Sequence, residues 1–378
     1  MKTRQNKPIN LLLISATLLW CGFIGYQHHR YTADELREMY SKPASEWPTP
    51  LVDEGIAWKE IAPIPPSPYK DVDSLRPLVD LGKVLFFDPR LSSSEQISCS
   101  SCHDPQLSWS NGRTVAVGHD HQLGQRNTPS LFYTWAGESF FWDGRVASLE
   151  EQAKVPVENP LEMHQGLEDL PAKLDQIDGY HPYFEDAFGD GAITVDRIAA
   201  ALAYFQRTLE GRTSDLDKFL KGDKDAMSDE ALRGLHLFRT KARCMNCHSG
   251  PFLTDNKFHN LGLHYFGRKY EDLGRYQVTK DPEDVGKFKT PTLREVMRTG
   301  PWMHNGLFHS MEGIMNMYDH GMSRPKPRPE FKDDPLWPTT SEILKPLGLT
   351  QEEKHDLIAF LESMTTLIYR MPRPELPQ

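Results

Sequence analysis

Apolar side chains along the chain recur mostly at intervals of three and four, the spacing that places them on one face of a helix. Thr194 can cap a helix whose apolar stripe runs Ile198, Leu202, Phe205 and Leu209. Thr350 and Glu353 stand at capping-box spacing, ahead of Leu357, Ile358, Leu361, Met364 and Ile368 on one face. Convincing strand alternation is scarce, and Gly- and Pro-rich loops fill the spaces between helices. The pattern predicts a mainly α fold with long loops and few or no strands. A short repeat, Gly82-Lys-Val-Leu85-Phe86 and Gly234-Leu-His-Leu237-Phe238, suggests that one helical module occurs twice.

The N-terminus carries Lys2, Arg4 and Lys7 ahead of a mostly apolar run from Ile9 to Tyr26. A basic head and an apolar core make residues 1–30 an export signal, cleaved or retained as a membrane anchor. No Ala-x-Ala site follows, Leu11 to Tyr26 is slightly short for a membrane span, and Trp20 before Cys21 is a poor lipoprotein site. The leading options all place the body in the periplasm. Residues 31–74 are polar, with the Pro-rich Ala62-Pro-Ile-Pro-Pro-Ser-Pro68, and read as a stiff linker or surface arm. Compact structure is expected from about Leu75. At 378 residues the length suits about two domains, placed at 75–222 and 223–370. The net charge of −10 argues against nucleic acid as a partner and is compatible with a basic redox protein.

Five cysteines are present: Cys21 in the apolar run, and two pairs of identical spacing, each followed by histidine. These are Cys99-Ser-Ser-Cys102-His103 and Cys244-Met-Asn-Cys247-His248. Cys-x-x-Cys-His places on one turn two thiols that can add to haem vinyl groups and an imidazole that can bind iron. Zinc could use the same cysteines, and a redox dithiol the same spacing, but the latter belongs in a βαβ setting that is missing here. Two complete copies behind an export signal, with no cysteine left over in the body, favour two covalently bound haems c. Cys99, Cys102, Cys244 and Cys247 would be the attachment sites, and His103 and His248 the proximal iron ligands. A haem protein becomes an enzyme only if one iron face can admit substrate beside acid–base groups.

Further along, the sequence resembles the bacterial dihaem cytochrome c peroxidases and their relative MauG, from about Leu75 to Thr366. The resemblance rests on Leu81-Gly-Lys-Val-Leu-Phe-Phe-Asp-Pro-Arg90, Gly118-His-Asp-His-Gln-Leu-Gly-Gln-Arg-Asn-Thr-Pro129, Phe141-Trp-Asp-Gly-Arg145, Pro291-Thr-Leu-Arg294 and Thr299-Gly-Pro301, with both haem motifs in order. It implies that peroxide is reduced at the haem held by His103. His119 would be the distal ligand that leaves this iron on activation, with His121 a rival by position. Gln152 and Glu162 would form the polar pair of the peroxide pocket, and Trp142 would lie between the haems. Asn127, Thr299 and Pro301 would hold one calcium ion, the last two through carbonyl oxygens.

One position departs from the usual peroxidase pattern. Where those enzymes place methionine opposite the C-terminal haem, this sequence has Tyr318, as MauG does; Met317 and Met322 are the nearby alternatives. Oxygen ligation favours ferric iron, so a high-potential second haem is in doubt. Outside the resemblance the residues have plainer readings. His119 would be a loop histidine, Glu162 a solvated carboxylate, Trp142 and the Met297–Met322 cluster core filler, and Asn127 and Thr299 turn residues. Three functions compete. The first is a peroxidase using hydrogen peroxide and a small electron donor such as cytochrome c. The second is a MauG-like enzyme oxidising residues of a partner protein, favoured by Tyr318. The third is a dihaem electron carrier. The resemblance also implies a homodimer.

Overall fold

The structure, a computed structural model, describes residues 31–367 and 371–378; residues 1–30, expected to be an export signal, with Cys21, and Ile368 lie outside them. The fold is mainly helical. Among the described residues the strands are β1 (Phe258–His259) and β2 (Phe288–Lys289), antiparallel, with Phe258 opposite Lys289 and His259 opposite Phe288. No described helix is long and apolar enough to cross a membrane.

After a short helix α1 (Ala33–Tyr40), the first half is built on α2 (Arg76–Phe87), α3 (Cys99–Cys102), α4 (Leu149–Glu158), α5 (Leu170–Asp175), α6 (His181–Phe188), α7 (Val195–Arg207) and α8 (Asp215–Leu220). The second half uses α9 (Asp229–Arg239), α10 (Tyr276–Thr279), α11 (Met311–Asp319) and α12 (Gln351–Glu362). Both expected caps form. The Thr194 hydroxyl accepts from Arg197 N at 3.3 Å, and Thr350 and Glu353 close a reciprocal capping box at 3.2 and 2.7 Å. Ile198, Leu202, Phe205 and Leu209 are buried, as are Leu357 and Leu361. On α12 the buried face also takes Phe360, while Ile358 is only half-buried and Met364 lies beyond the helix end.

The repeat noticed in the sequence has a packing cause. A Cβ on Gly82 of α2 would lie 1.9 Å from the Ala201 carbonyl oxygen on α7, and one on Gly234 of α9 would lie 2.0 Å from that of Asp356 on α12. Each glycine is the point where a helix preceding a haem motif meets a later helix of the same half. One turn on, Phe86 meets Phe205 with ring centroids 5.2 Å apart, and Phe238 meets Phe360 at 5.0 Å. The same crossing is therefore built twice. Alanine at either glycine would overpack a backbone contact that cannot give way, at a cost of about 1–3 kcal/mol or more. We expect Gly82→Ala and Gly234→Ala each to lower the denaturant midpoint of the protein; an unchanged midpoint in either contradicts this packing.

The folded body begins ahead of Leu75, because the polar arm has specific partners. Leu36 and Tyr40 of α1 are buried, and the Tyr40 hydroxyl lies 2.9 Å from Nδ1 of His236 on α9. Buried Arg239 pairs with Glu60 and donates to the Pro48 carbonyl at 2.9 Å. Gly250 N, just past the second haem motif, donates to the Lys59 carbonyl at 2.9 Å. Residues 33–60 thus strap the second half before the chain reaches the first.

Candidate active site

One continuous cavity of about 740 Å³ touches both Cys-x-x-Cys-His motifs. Its two anchoring sites are built alike. His103 Nδ1 lies 2.9 Å from the Trp109 carbonyl oxygen, and His248 Nδ1 lies 2.9 Å from that of Leu253. Trp109 and Leu253 are fully buried and adopt left-handed backbone, with φ of 60° and 52°, which turns each carbonyl back onto its histidine. A carbonyl partner fixes the proton on Nδ1 and leaves the Nε2 lone pair for a metal. Burial keeps both imidazoles neutral, pushing His103 down to about 4 and His248 down as well. None of the four cysteines is in a disulfide, and burial pushes Cys99, Cys244 and Cys247 up to about 12 and Cys102 up to about 11. Neutral sulfur suits these positions, and a thioether is neutral at every pH. The donor set fits haem c at both motifs.

Cys247, Asp255 and His259 also bring ligand atoms within 4.8 Å of one another. His259 Nε2 is already bonded to Asp255 Oδ2 at 2.8 Å, and the sulfur belongs to a haem motif. The trio belongs to the surroundings of the second haem.

Beside the first motif the cavity wall carries Gln152, Glu162 and Arg145. Ser148 caps α4 by accepting from Glu151 N at 3.1 Å, which starts the helix that presents Gln152. Past its end, Asn159 organises the loop holding Glu162. Asn159 Nδ2 donates to Glu162 Oε1 at 2.8 Å, its Oδ1 accepts from Leu161 N at 3.0 Å, and its carbonyl accepts from Glu162 N at 3.0 Å. Burial raises the Glu162 carboxyl above the ordinary glutamate value, against the pull of the Asn159 amide and the Arg145 charge. Arg145 is held by Asp143 at 3.1 Å and by stacking 3.5 Å over the Phe141 ring.

His119 does not line the cavity, whose histidines are His103, His248, His259 and His304. Its backbone N–H donates to the Glu162 carbonyl at 2.8 Å, and its ring sits edge-on to His164 with centroids 4.7 Å apart. The loop is held there closely, since a Cβ on Gly118 would lie 2.1 Å from the Leu161 carbonyl oxygen. His121 faces a second, smaller cavity near Cys102, with Arg113 and Asp104.

Beside the second motif, Tyr318 of α11 lines the cavity, while Met317 and Met322 do not. Burial raises its phenol, and the charges of the Cys247 and Cys244 sulfurs add to the shift. Trp142 sits at the seam of the two halves. Its indole N–H donates to the Asn127 carbonyl at 2.8 Å, its own carbonyl accepts from Lys289 N on β2 at 2.8 Å, and its ring meets His304 edge-on at 6.5 Å. Asn127, Thr299 and Pro301 line the same cavity. The Asn127 amide nitrogen is spent on the Arg113 and Thr114 carbonyls at 2.9 and 3.3 Å, which leaves its side-chain oxygen as the atom able to face a cation.

Sequence reasoning missed Asn159, Arg145, His164 and Lys289. Asn159 and Arg145 stood within or beside the quoted blocks, and only their partners reveal what they do.

A mainly helical chain that brings two haem-attachment motifs and a buried carboxyl to one cavity is a dihaem c-type oxidoreductase. A family model for di-haem cytochrome c peroxidase matches residues 76–225. The chain is 38% identical over 315 residues to the methylamine utilization protein MauG of Methylorubrum extorquens, covering 82% of this chain and 84% of that one. It is 34% identical over 335 residues to a cytochrome-c peroxidase of Pseudomonas sp., covering 81% and 85%. Among solved structures it is similar to a MauG-like protein associated with microbial copper homeostasis, with TM-score 0.70 and 28% identity over 84% of this chain and 96% of that one. The chain belongs to the di-haem cytochrome c peroxidase family, and its cofactors are two haems c.

Proposed function

We propose that this protein reduces hydrogen peroxide to water with electrons from a small redox protein such as a cytochrome c. Each peroxide takes two electrons and two protons and yields two waters. The haems supply the redox-active iron, the one at His103 for peroxide and the one at His248 for passing on electrons. The observation that carries this reading is the Glu162 carboxyl, raised by burial and oriented by Asn159 on the wall beside Cys99 and Cys102. Glu162 takes a proton from the incoming peroxide and returns it to the departing oxygen, and Gln152 orients the substrate. Trp142, bonded to both halves, lies on the path between them.

His119 is the residue proposed to close the first iron. Reduction would release it, and its ring stands edge-on to that of His164, 4.7 Å away. The remaining assignments rest on the sequence: haem domains at 75–222 and 223–370, export to the periplasm by residues 1–30 with cleavage or retention as an anchor, a homodimer, and calcium at Asn127, Thr299 and Pro301. The test is donor oxidation. Added peroxide should oxidise a reduced small cytochrome c in a ratio of two donors per peroxide, and a failure to oxidise any such donor overturns the proposal.

A second reading, oxidation of residues on a partner protein, is favoured by Tyr318 on the cavity wall. Here peroxide would be consumed only with a partner protein present, and the partner would gain mass changes at its own side chains. Chelation tests the calcium assignment. Removing the ion is expected to slow peroxide turnover and re-addition to restore it, whereas turnover indifferent to chelator counts against the site.

A further inference from the structure

Six basic side chains outside the histidines line the cavity, and five have a carboxylate. Arg126 pairs with Asp143 and Asp272, Arg145 with Asp143, Arg294 with Asp217, and Arg243 and Lys345 with Asp53. The sixth is Lys289. Among the described residues no carboxylate lies within ion-pair distance of its amine, whose hydrogen-bond acceptor is the neutral carbonyl of Ser139. The Phe140 ring lies 5.8 Å away and Glu138, an exposed residue, acts on it only at long range.

This is an unusual place to leave a cation. An ammonium withdrawn from water is costly unless an anion meets it. Desolvation pushes Lys289 down to about 8, against the smaller upward pull of the Glu138 charge. The backbone gives it little freedom to leave, because Lys289 is in β2, paired with Phe258, and its N–H is bonded to the Trp142 carbonyl. The chain has thus fixed a positive charge on the cavity wall, at the seam of the two halves, and withheld the carboxylate it gave to each neighbouring cation.

Haem brings the missing anions, since each porphyrin carries two propionates. We propose that the Lys289 ammonium is the counter-ion of a haem propionate at the seam beside Trp142, and that its charge sets the potential of that haem. The inference rests on the two haems and is independent of the peroxidase reading. A cation held beside a porphyrin favours the ferrous state, so its loss must lower the potential.

The test is a potentiometric titration of resting holoprotein, with no peroxide present, on wild type, Lys289→Met, Lys289→Gln and Lys289→Arg. Each is first shown by its pyridine haemochrome to carry two haems. Met and Gln should lower the midpoint of one haem and leave the other nearly in place, with a shifted propionate bending band in the resonance Raman spectrum. Arg, which keeps the charge, should hold the wild-type midpoint. If neither neutral variant retains both haems while Arg does, the same charge requirement is read as occupancy. Unmoved midpoints in a neutral variant carrying both haems would overturn the proposal. So would a fall in Lys289→Arg equal to that in Lys289→Met, which would show packing and not charge.

Discussion

Replacing Glu162 with glutamine should lower the rate of peroxide reduction by about 10²- to 10⁴-fold, the usual contribution of a positioned proton-transfer group. Glutamine keeps the shape and the hydrogen bond with Asn159 but can neither take up nor return a proton. The loss should fall on the reaction with peroxide, seen in stopped flow, while both haems stay attached and the optical spectrum of the resting protein barely changes. The pH dependence follows from the same group. The carboxylate form accepts the first proton, so activity falls as pH drops through the Glu162 pKa. Burial raises that pKa, so the acid limb should lie above the ordinary glutamate value of ~4.3. The limb should vanish in Glu162→Gln. Asn159→Ala, which removes the orienting amide, should cost less activity and move the limb further up, since that hydrogen bond favours the ionised form. Equal peroxide rates in wild type and Glu162→Gln would remove the carboxyl from the chemistry.

Tyr318→Met should raise the potential of the haem at His248. Axial ligands set haem potentials over a range of ~0.8 V, and exchanging an oxygen ligand for thioether sulfur should cover on the order of tenths of a volt of it. Tyr318 sits on the cavity wall and is not part of either attachment motif, so the substitution exchanges the proposed ligand and keeps both attachment cysteines. A spectrum and potential unchanged by Tyr318→Met would show that Tyr318 is not a ligand of this iron. The direction matters for function: a raised potential makes the second haem an easier store for donor electrons and a poorer seat for oxidising equivalents.

Much of this molecule is written locally. Two haem motifs, a capping box at Thr350 and Glu353, and an apolar stripe on α7 are each contained within a turn or two of chain, and each is found where periodicity and spacing put it. The Gly82 and Gly234 repeat was visible too, although its cause, a backbone crossing at a helix more than a hundred residues away, was not. What stayed hidden depends on long-range partners or on unusual backbone. Lys289 carries no signal in the sequence until Ser139 and Trp142 are brought to it. The arm of residues 33–60 reads as polar linker because, beside buried Leu36 and Tyr40, several of its anchors are polar: Glu60 on Arg239, the Lys59 carbonyl on Gly250. The His119 loop turns on Asp120 and His121, both with positive φ, and no hydrophobic pattern announces such a turn.

The account depends on two thioether-bound haems that differ in what stands opposite the iron. Electron paramagnetic resonance of the protein, fully oxidised and then partly reduced, tests this most directly. The account predicts that the haem held by His103 turns from low-spin to high-spin as His119 leaves it on partial reduction, while the haem at His248 carries Tyr318 as its other ligand. Two low-spin signals that persist at every stage of reduction would contradict it.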